Sequence, residues 1–168
     1  MFRRLLATAL VGLAALPAVA APLAPKVRAA SFEQVAKPFP YDEAANADRA
    51  VAAAKARALR SHKRLLIDLG GNWCLDCRLL AGTIELPEVK AFMARHFEIV
   101  TVDIGRFTKN GQIAAHYGYT GRLEGVPAVF VVDPRTDRLI NKGHETAIQD
   151  ARSMSPQALV DWLAQWAA

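Results

Sequence analysis

Cysteine is nearly missing from this 168-residue chain: it occurs twice, as Cys74 and Cys77. That excludes a scaffold held by several disulfides in place of a core. The four histidines, His62, His96, His116 and His144, are dispersed and never fall at the paired spacing of a zinc motif. Arg78 rather than histidine follows Cys77, so the Cys-x-x-Cys-His pattern of covalent haem attachment is absent. No metal or other cofactor is therefore expected. There is no internal repeat and no coiled-coil heptad. Beyond the first twenty residues, no apolar run approaches the roughly 20 residues that cross a bilayer. Charge excess is also small, with a formal net charge of +5 that becomes +3 without Arg3 and Arg4. The basic cluster Arg57, Arg60, Lys63, Arg64 falls at a predicted helix end, where the dipole favours cations, so no nucleic-acid partner is expected.

What is present is a chain that is 52% hydrophobic and long enough for one domain with a full core. Residues 1–20 read as a secretory signal peptide. Arg3 and Arg4 precede an apolar run from Leu5 to Leu16, then Pro17 and Ala18-Val19-Ala20, which predicts cleavage after Ala20. Phe2 stands where a twin-arginine signal carries serine or threonine, and the segment has no cysteine for lipidation. The expectation is general secretion to a bacterial periplasm, as a monomer with no stable membrane insertion after cleavage. Residues 21–40, with Pro22, Pro25, Pro38 and Pro40, read as a flexible leader, and residues 41–168 as the domain.

Within the domain, periodicity predicts an α/β arrangement. Residues 44–61 read as a helix with Ala47, Val51, Ala54 and Ala58 on one face. Residues 65–69 form a strand, Gly70-Gly71 a break, and residues 73–83 a helix. Pro87 opens another helix with Val89, Phe92 and Met93 toward the core. Residues 97–104 are almost continuously apolar or β-branched, as in a central strand buried on both faces. A short helix over 112–117 stops at Gly118, and residues 128–132 form a further strand. A hairpin at Asp133-Pro134 then leads to an edge strand beginning at Leu139-Ile140. Ser155 caps the last helix, Pro156 occupies its first position, and Leu159, Trp162, Leu163 and Trp166 form its apolar face.

The chemistry concentrates at Leu65–Cys77. Cys74 falls where a helix begins and Cys77 one turn later, so the two sulfurs lie close together. Unpaired N–H groups and the positive end of the helix dipole favour a thiolate at Cys74. Cys74 is accordingly assigned as nucleophile and Cys77 as resolving thiol. A purely structural bridge is the bland alternative, but a disulfide spanning two residues constrains little unfolded chain. Asp68 has two readings. Buried on a strand beside a dithiol, it would have a raised pKa and exchange protons near neutrality; at a strand end it would simply reach water.

Trp73 before the first cysteine, Asp68 six residues earlier, and Gly125-Val126-Pro127-Ala128 opening a later strand occur together and in order. From about Arg64 to Ile140 the chain resembles the thioredoxin superfamily. The resemblance implies a thioredoxin fold, a central mixed sheet flanked by helices, here with an added N-terminal helix. It implies that Trp73 packs beside the site, that Asp68 handles protons for Cys77, and that a cis Val126–Pro127 bond faces the cysteines. The Val126 backbone would then pair with an extended substrate. The implied activity is that of a thiol-disulfide oxidoreductase, reductase direction preferred. Its substrates would be protein thiols or disulfides, and a separate redox partner would recycle the dithiol.

Two departures from that pattern matter. Thr101 stands where many thioredoxins place a lysine against the carboxylate, and the segment between Cys77 and Pro127 is longer than in a minimal thioredoxin. The dipeptide Leu75-Asp76 is expected to tune the redox potential. An Asp76 carboxylate near Cys74 would oppose the thiolate and make the protein more reducing. Two alternatives stand beside this reading: a copper or zinc chaperone using both cysteines, and a redox-inactive binding module on the same fold.

Overall fold

Alternation of side chains along one strand sets the architecture. In β1 (Arg64–Gly70), Leu65, Ile67 and Leu69 enter one apolar cluster and Leu66 enters another, so both faces of the strand are core. β1 pairs in parallel with β2 (Phe97–Asp103) and antiparallel with β3 (Ala128–Asp133). A two-residue β4 (Arg138–Leu139) adds antiparallel to β3, giving a four-stranded mixed sheet in the order β2-β1-β3-β4. The computed structural model describes residues 21–167; the expected signal peptide lies outside them.

Helices cover both faces. α1 (Ala47–Ser61) buries Ala47, Ala54 and Ala58 with Leu65, Ile67 and Phe130, and α4 (Gly111–His116) adds Ile113 and Ala114 to that side. Across the sheet, α2 (Leu75–Ile84), α3 (Pro87–His96) and α5 (Pro156–Gln165) enclose Leu66, Val129 and Val131 with Leu80, Phe92, Met93, Leu159 and Leu163. The Asn46 side chain caps α1 and Ser155 caps α5, each accepting a backbone N–H of the first turn. Among the described residues, no helix is long and apolar enough to cross a membrane.

Two expectations need correction. The strand over 97–104 is not central. β2 lies at the sheet edge, with Ile99, Val100 and Thr101 only half-buried. Its two faces are covered, Val100 by the α1 side and Ile99 by the α3 side, and this produces the apolar composition while one hydrogen-bonding edge stays without a strand.

The second concerns β4, which ends at Leu139. Asn141, fully buried, continues its work with a side chain: its Oδ1 accepts from Val131 N–H at 2.9 Å and its Nδ2 donates to the Val129 carbonyl at 2.7 Å. The backbone of Glu145 accepts from Val129 N–H at 2.7 Å, so the outer edge of β3 is satisfied without a full strand.

Residues 21–40, expected as a leader, make contacts with the domain. Val35 is buried, Gln157 bonds the backbone at Pro25 and Val27, and Arg78 donates to the carbonyls of Lys37 and Pro38. Gly82 permits this approach, because a Cβ there would run into the Ala36 carbonyl. Proline-rich composition removes local structure but does not prevent side chains elsewhere from binding the exposed carbonyls.

Candidate active site

Cys74 is the N-cap of α2, one residue after the helix start expected from sequence. The Cys77 backbone N–H donates to the Cys74 sulfur at 3.1 Å, the interaction a capping oxygen makes elsewhere. In the dithiol form this N–H and the helix dipole favour a Cys74 thiolate. The two cysteines are joined here as a disulfide. Cys74 retains 6% exposure and Cys77 none, and Trp73 and Leu75 beside them are 40% and 39% exposed. An incoming disulfide therefore meets Cys74 first, with Cys77 behind it.

The Val126–Pro127 bond is cis, and the Cys74 sulfur lies 3.5 Å from the Val126 carbonyl oxygen. The Val126 backbone at the cis bond thus stands against the Cys74 sulfur. Trp73 donates its indole N–H to the Gly105 carbonyl at 2.6 Å, and its ring lies 5.9 Å from that of Phe107. Phe107 has φ +64°, a conformation that costs a side-chain-bearing residue roughly 1–2 kcal/mol. Arg106 lies over the Trp73 ring and Arg122 over the Phe107 ring. The long segment after Cys77 therefore forms one wall beside the tryptophan, and with Leu69 and Leu123 it encloses a cavity of about 360 Å³.

Asp68 is 2% exposed, and its Oδ2 accepts the Tyr41 hydroxyl at 2.9 Å. Its Oδ1 has no partner. Burial pushes the carboxyl up to about 7, against the Tyr41 hydrogen bond, which pulls it down. Tyr41 is itself driven well above the usual tyrosine range, first by burial and then by the charge of Asp68. Thr101 pairs with Asp68 across β1 and β2, yet its hydroxyl donates to the Pro40 carbonyl at 3.0 Å. The residue standing in place of a lysine thus anchors the segment that carries Tyr41.

Asp76 is not the free carboxylate expected from sequence. It is 5% exposed and held by Arg152, whose backbone N–H and Nε reach Oδ1 at 2.9 and 3.0 Å while Nη2 closes on Oδ2. Burial alone would raise this carboxyl; the Arg152 hydrogen bonds and charge outweigh it and hold it below the usual range. Its electrostatic effect on Cys74 is therefore that of an ion pair. Leu75 points outward beside the disulfide and makes no polar contact of its own.

Tyr41 and Arg152 escaped the sequence reading. Tyr41 had one signal, being an aromatic residue with Phe39 in a stretch otherwise rich in alanine and proline; Arg152 had none. Among the described residues, no three of His, Cys, Asp or Glu converge on a point that could hold a metal ion.

Residues 45–134 match a family model described as thioredoxin-like. A solved structure described as a disulphide isomerase from Xylella fastidiosa Temecula1 is 36% identical. The match covers 76% of this chain and 96% of that one, with a TM-score of 0.70. The C-terminal domain of DsbD from Neisseria meningitidis, in the oxidised form, is 28% identical over 54% of this chain and 77% of that one, with a TM-score of 0.41. A comparison with curated proteins gave no match. Fold, dithiol and family match agree: the chain belongs to the thioredoxin-like family.

Proposed function

We propose that this protein is a thiol-disulfide oxidoreductase that acts on protein substrates from its dithiol form, with Cys74 as nucleophile and Cys77 as resolving thiol. One observation carries the reading. The outward sulfur of a helix-capping Cys-x-x-Cys pair is served by a backbone N–H, and on the adjoining strand the buried Asp68 carboxyl, which burial pushes up to about 7, accepts the Tyr41 hydroxyl. Reduction of a substrate disulfide begins when the Cys74 thiolate attacks it. The substrate's other sulfur leaves as a thiolate, and Cys77 then displaces the bound sulfur from Cys74. A separate donor restores the dithiol. Secretion to the periplasm, supported by the apolar run behind Arg3 and Arg4, and a monomeric state complete the proposal.

Isomerase duty is a second reading, favoured by the description of the 36% identical structure. It uses the same dithiol form, differing only in whether Cys77 resolves the intermediate before the substrate rearranges. The metal-chaperone and inert-module alternatives have no observation in their favour.

The test is reduction of a protein disulfide by the dithiol protein, together with trapping. Cys77→Ser is expected to accumulate a mixed disulfide through Cys74, and Cys74→Ser to trap nothing. Equal trapping by both variants, or no exchange by the wild type, would remove the assignment.

A further inference from the structure

Tyr41 reaches the site from outside the helices and sheet that define the fold. Its backbone is clamped by one side chain of the active-site loop: Tyr41 N–H donates to Asn72 Oδ1 at 3.1 Å, and Asn72 Nδ2 donates to the Tyr41 carbonyl at 2.9 Å. The clamp aims the ring inward, where Tyr41 is 3% exposed. The point where a Gly70 Cβ would lie is 2.7 Å from the Cys77 sulfur and closer still to the Tyr41 hydroxyl oxygen. Gly70 therefore leaves open a space bordered by both the Tyr41 hydroxyl, already bonded to Asp68, and the Cys77 sulfur.

We propose that Tyr41 is a positioning residue for the resolving step: its hydroxyl, donated to Asp68 Oδ2 beside Cys77, holds the carboxyl as the acceptor of the Cys77 proton and fixes the pH range over which it accepts. This rests on the oxidoreductase reading above and identifies the group on which its proton transfer depends.

The step balances as follows. With Cys74 joined to a substrate sulfur, the proton of Cys77 passes to the Asp68 carboxylate, leaving a Cys77 thiolate and a neutral acid. The thiolate attacks the Cys74 sulfur. The Cys74–Cys77 bond forms, the Cys74–substrate bond breaks, and its electron pair leaves with the substrate sulfur as a thiolate. The protein dithiol has been oxidised and the substrate disulfide reduced. Asp68 then returns its proton to water through the cavity of about 480 Å³ that it lines with Pro38, Pro40, Ala81, Ile84 and Thr101.

Few other groups bear on this carboxyl. α2 contributes Cys74, Cys77 and the Arg152-bound Asp76. The end of β2 contributes Asp103, paired with Lys109. Glu43 lies near Asn72, and Glu85, paired with Lys90, lines the cavity. Among the described residues no cation contacts Asp68, so the Tyr41 hydroxyl is the group that offsets its burial.

The experiment is stopped-flow reaction of the reduced full chain with a symmetric aromatic disulfide that releases a coloured thiolate. The first release reports attack by Cys74, the second attack by Cys77. In the wild type, the second rate rises with pH as Asp68 ionises. Tyr41→Phe removes a hydrogen bond to a charged acceptor, so that rise is expected to move upward by about one to two pH units, with the first phase unchanged. On an Asp68→Asn background, adding Tyr41→Phe is expected to change nothing further.

A second-phase profile that superimposes on the wild type would overturn the assignment. So would an equal shift of both phases, or a shift that persists without Asp68. Should Tyr41→Phe fold poorly, infrared difference spectroscopy on the wild type decides: the tyrosine C–O band must move at the pH where the protonated carboxyl band appears, and a tyrosine band indifferent to that pH refutes the proposal. A wild type that gives both phases with the small disulfide yet reduces no protein disulfide would count against the proposed function, and the two phases would still decide the role of Tyr41.

Discussion

Arg152 grips Asp76 from two directions, with its backbone N–H and its guanidinium on the same carboxylate. Asp76 stands two residues after Cys74, and the pair presents that cysteine with nearly balanced charges. Arg152→Gln leaves the carboxylate uncompensated and is expected to raise the Cys74 pKa by about half a unit to one unit, and Asp76→Asn to lower it by a similar amount. The double variant should return close to the wild-type value. Thiolate absorbance against pH measures all four proteins; single variants that both move the pKa in one direction would show that the pair does not act through its charge.

Asp68 gives stability a pH dependence of known sign. Its folded pKa, about 7, is above the usual carboxylate value, so between about pH 4 and pH 7 the folded state holds a proton that the unfolded state has lost. Stability from this group is fully present below the lower value and is lost as pH rises through the folded one, amounting to at most about 4 kcal/mol. Asp68→Asn is therefore expected to stabilise the oxidised protein at about pH 8 and to leave it nearly unchanged at about pH 4. Urea unfolding at both pH values checks this; an equal effect at the two would contradict it.

Asn141 replaces a length of strand with one amide. Removing it as Asn141→Ala leaves the Val131 N–H and the Val129 carbonyl without partners in a buried position, at a cost of about 2–4 kcal/mol. Asn141→Asp is expected to do worse near neutral pH, because a carboxylate cannot donate to Val129. Unfolding midpoints and hydrogen exchange at the Val131 amide provide the readout, and faster exchange confined to that amide is the expected local signature.

The N-terminal segment should come away when its contacts are removed. Gly82→Ala drives a methyl into the Ala36 carbonyl, and Arg78→Ala deletes the guanidinium bonded to the Lys37 and Pro38 carbonyls. Either change is expected to raise protease cleavage within residues 21–40 at least several-fold while the sheet and helices persist. Overpacking of this kind costs about 1–3 kcal/mol. Unaltered cleavage would mean that the remaining contacts, such as Gln157 with Pro25 and Val27, suffice.

Much of the fold was legible because its signals are local. The helix start at Cys74, the cap at Ser155 and the apolar faces of α1, α3 and α5 are written in residues three or four positions apart. The strand over 97–104 was recognised as a strand, but its place in the sheet order is a relation between distant segments and leaves no mark on its own composition. The same limit hid the polar partners of the site. Tyr41 meets Asp68 across 27 positions and Arg152 meets Asp76 across 76, and in neither case does spacing or residue type announce the match. Asn141 failed to stand out for another reason, since an asparagine after a short strand normally reads as the turn itself.

The placement of Tyr41 also has a consequence in time. It is synthesised before any strand of the sheet, and its partners Asp68 and Asn72 follow 27 and 31 positions later. The hydroxyl can close over the carboxyl only after β1 and the loop leading into α2 have formed. Until that return, Oδ2 of Asp68 lacks this donor. Tyr41 thus waits, in the growing chain, for the strand and loop that hold it, and both are made before the Cys-x-x-Cys helix is complete.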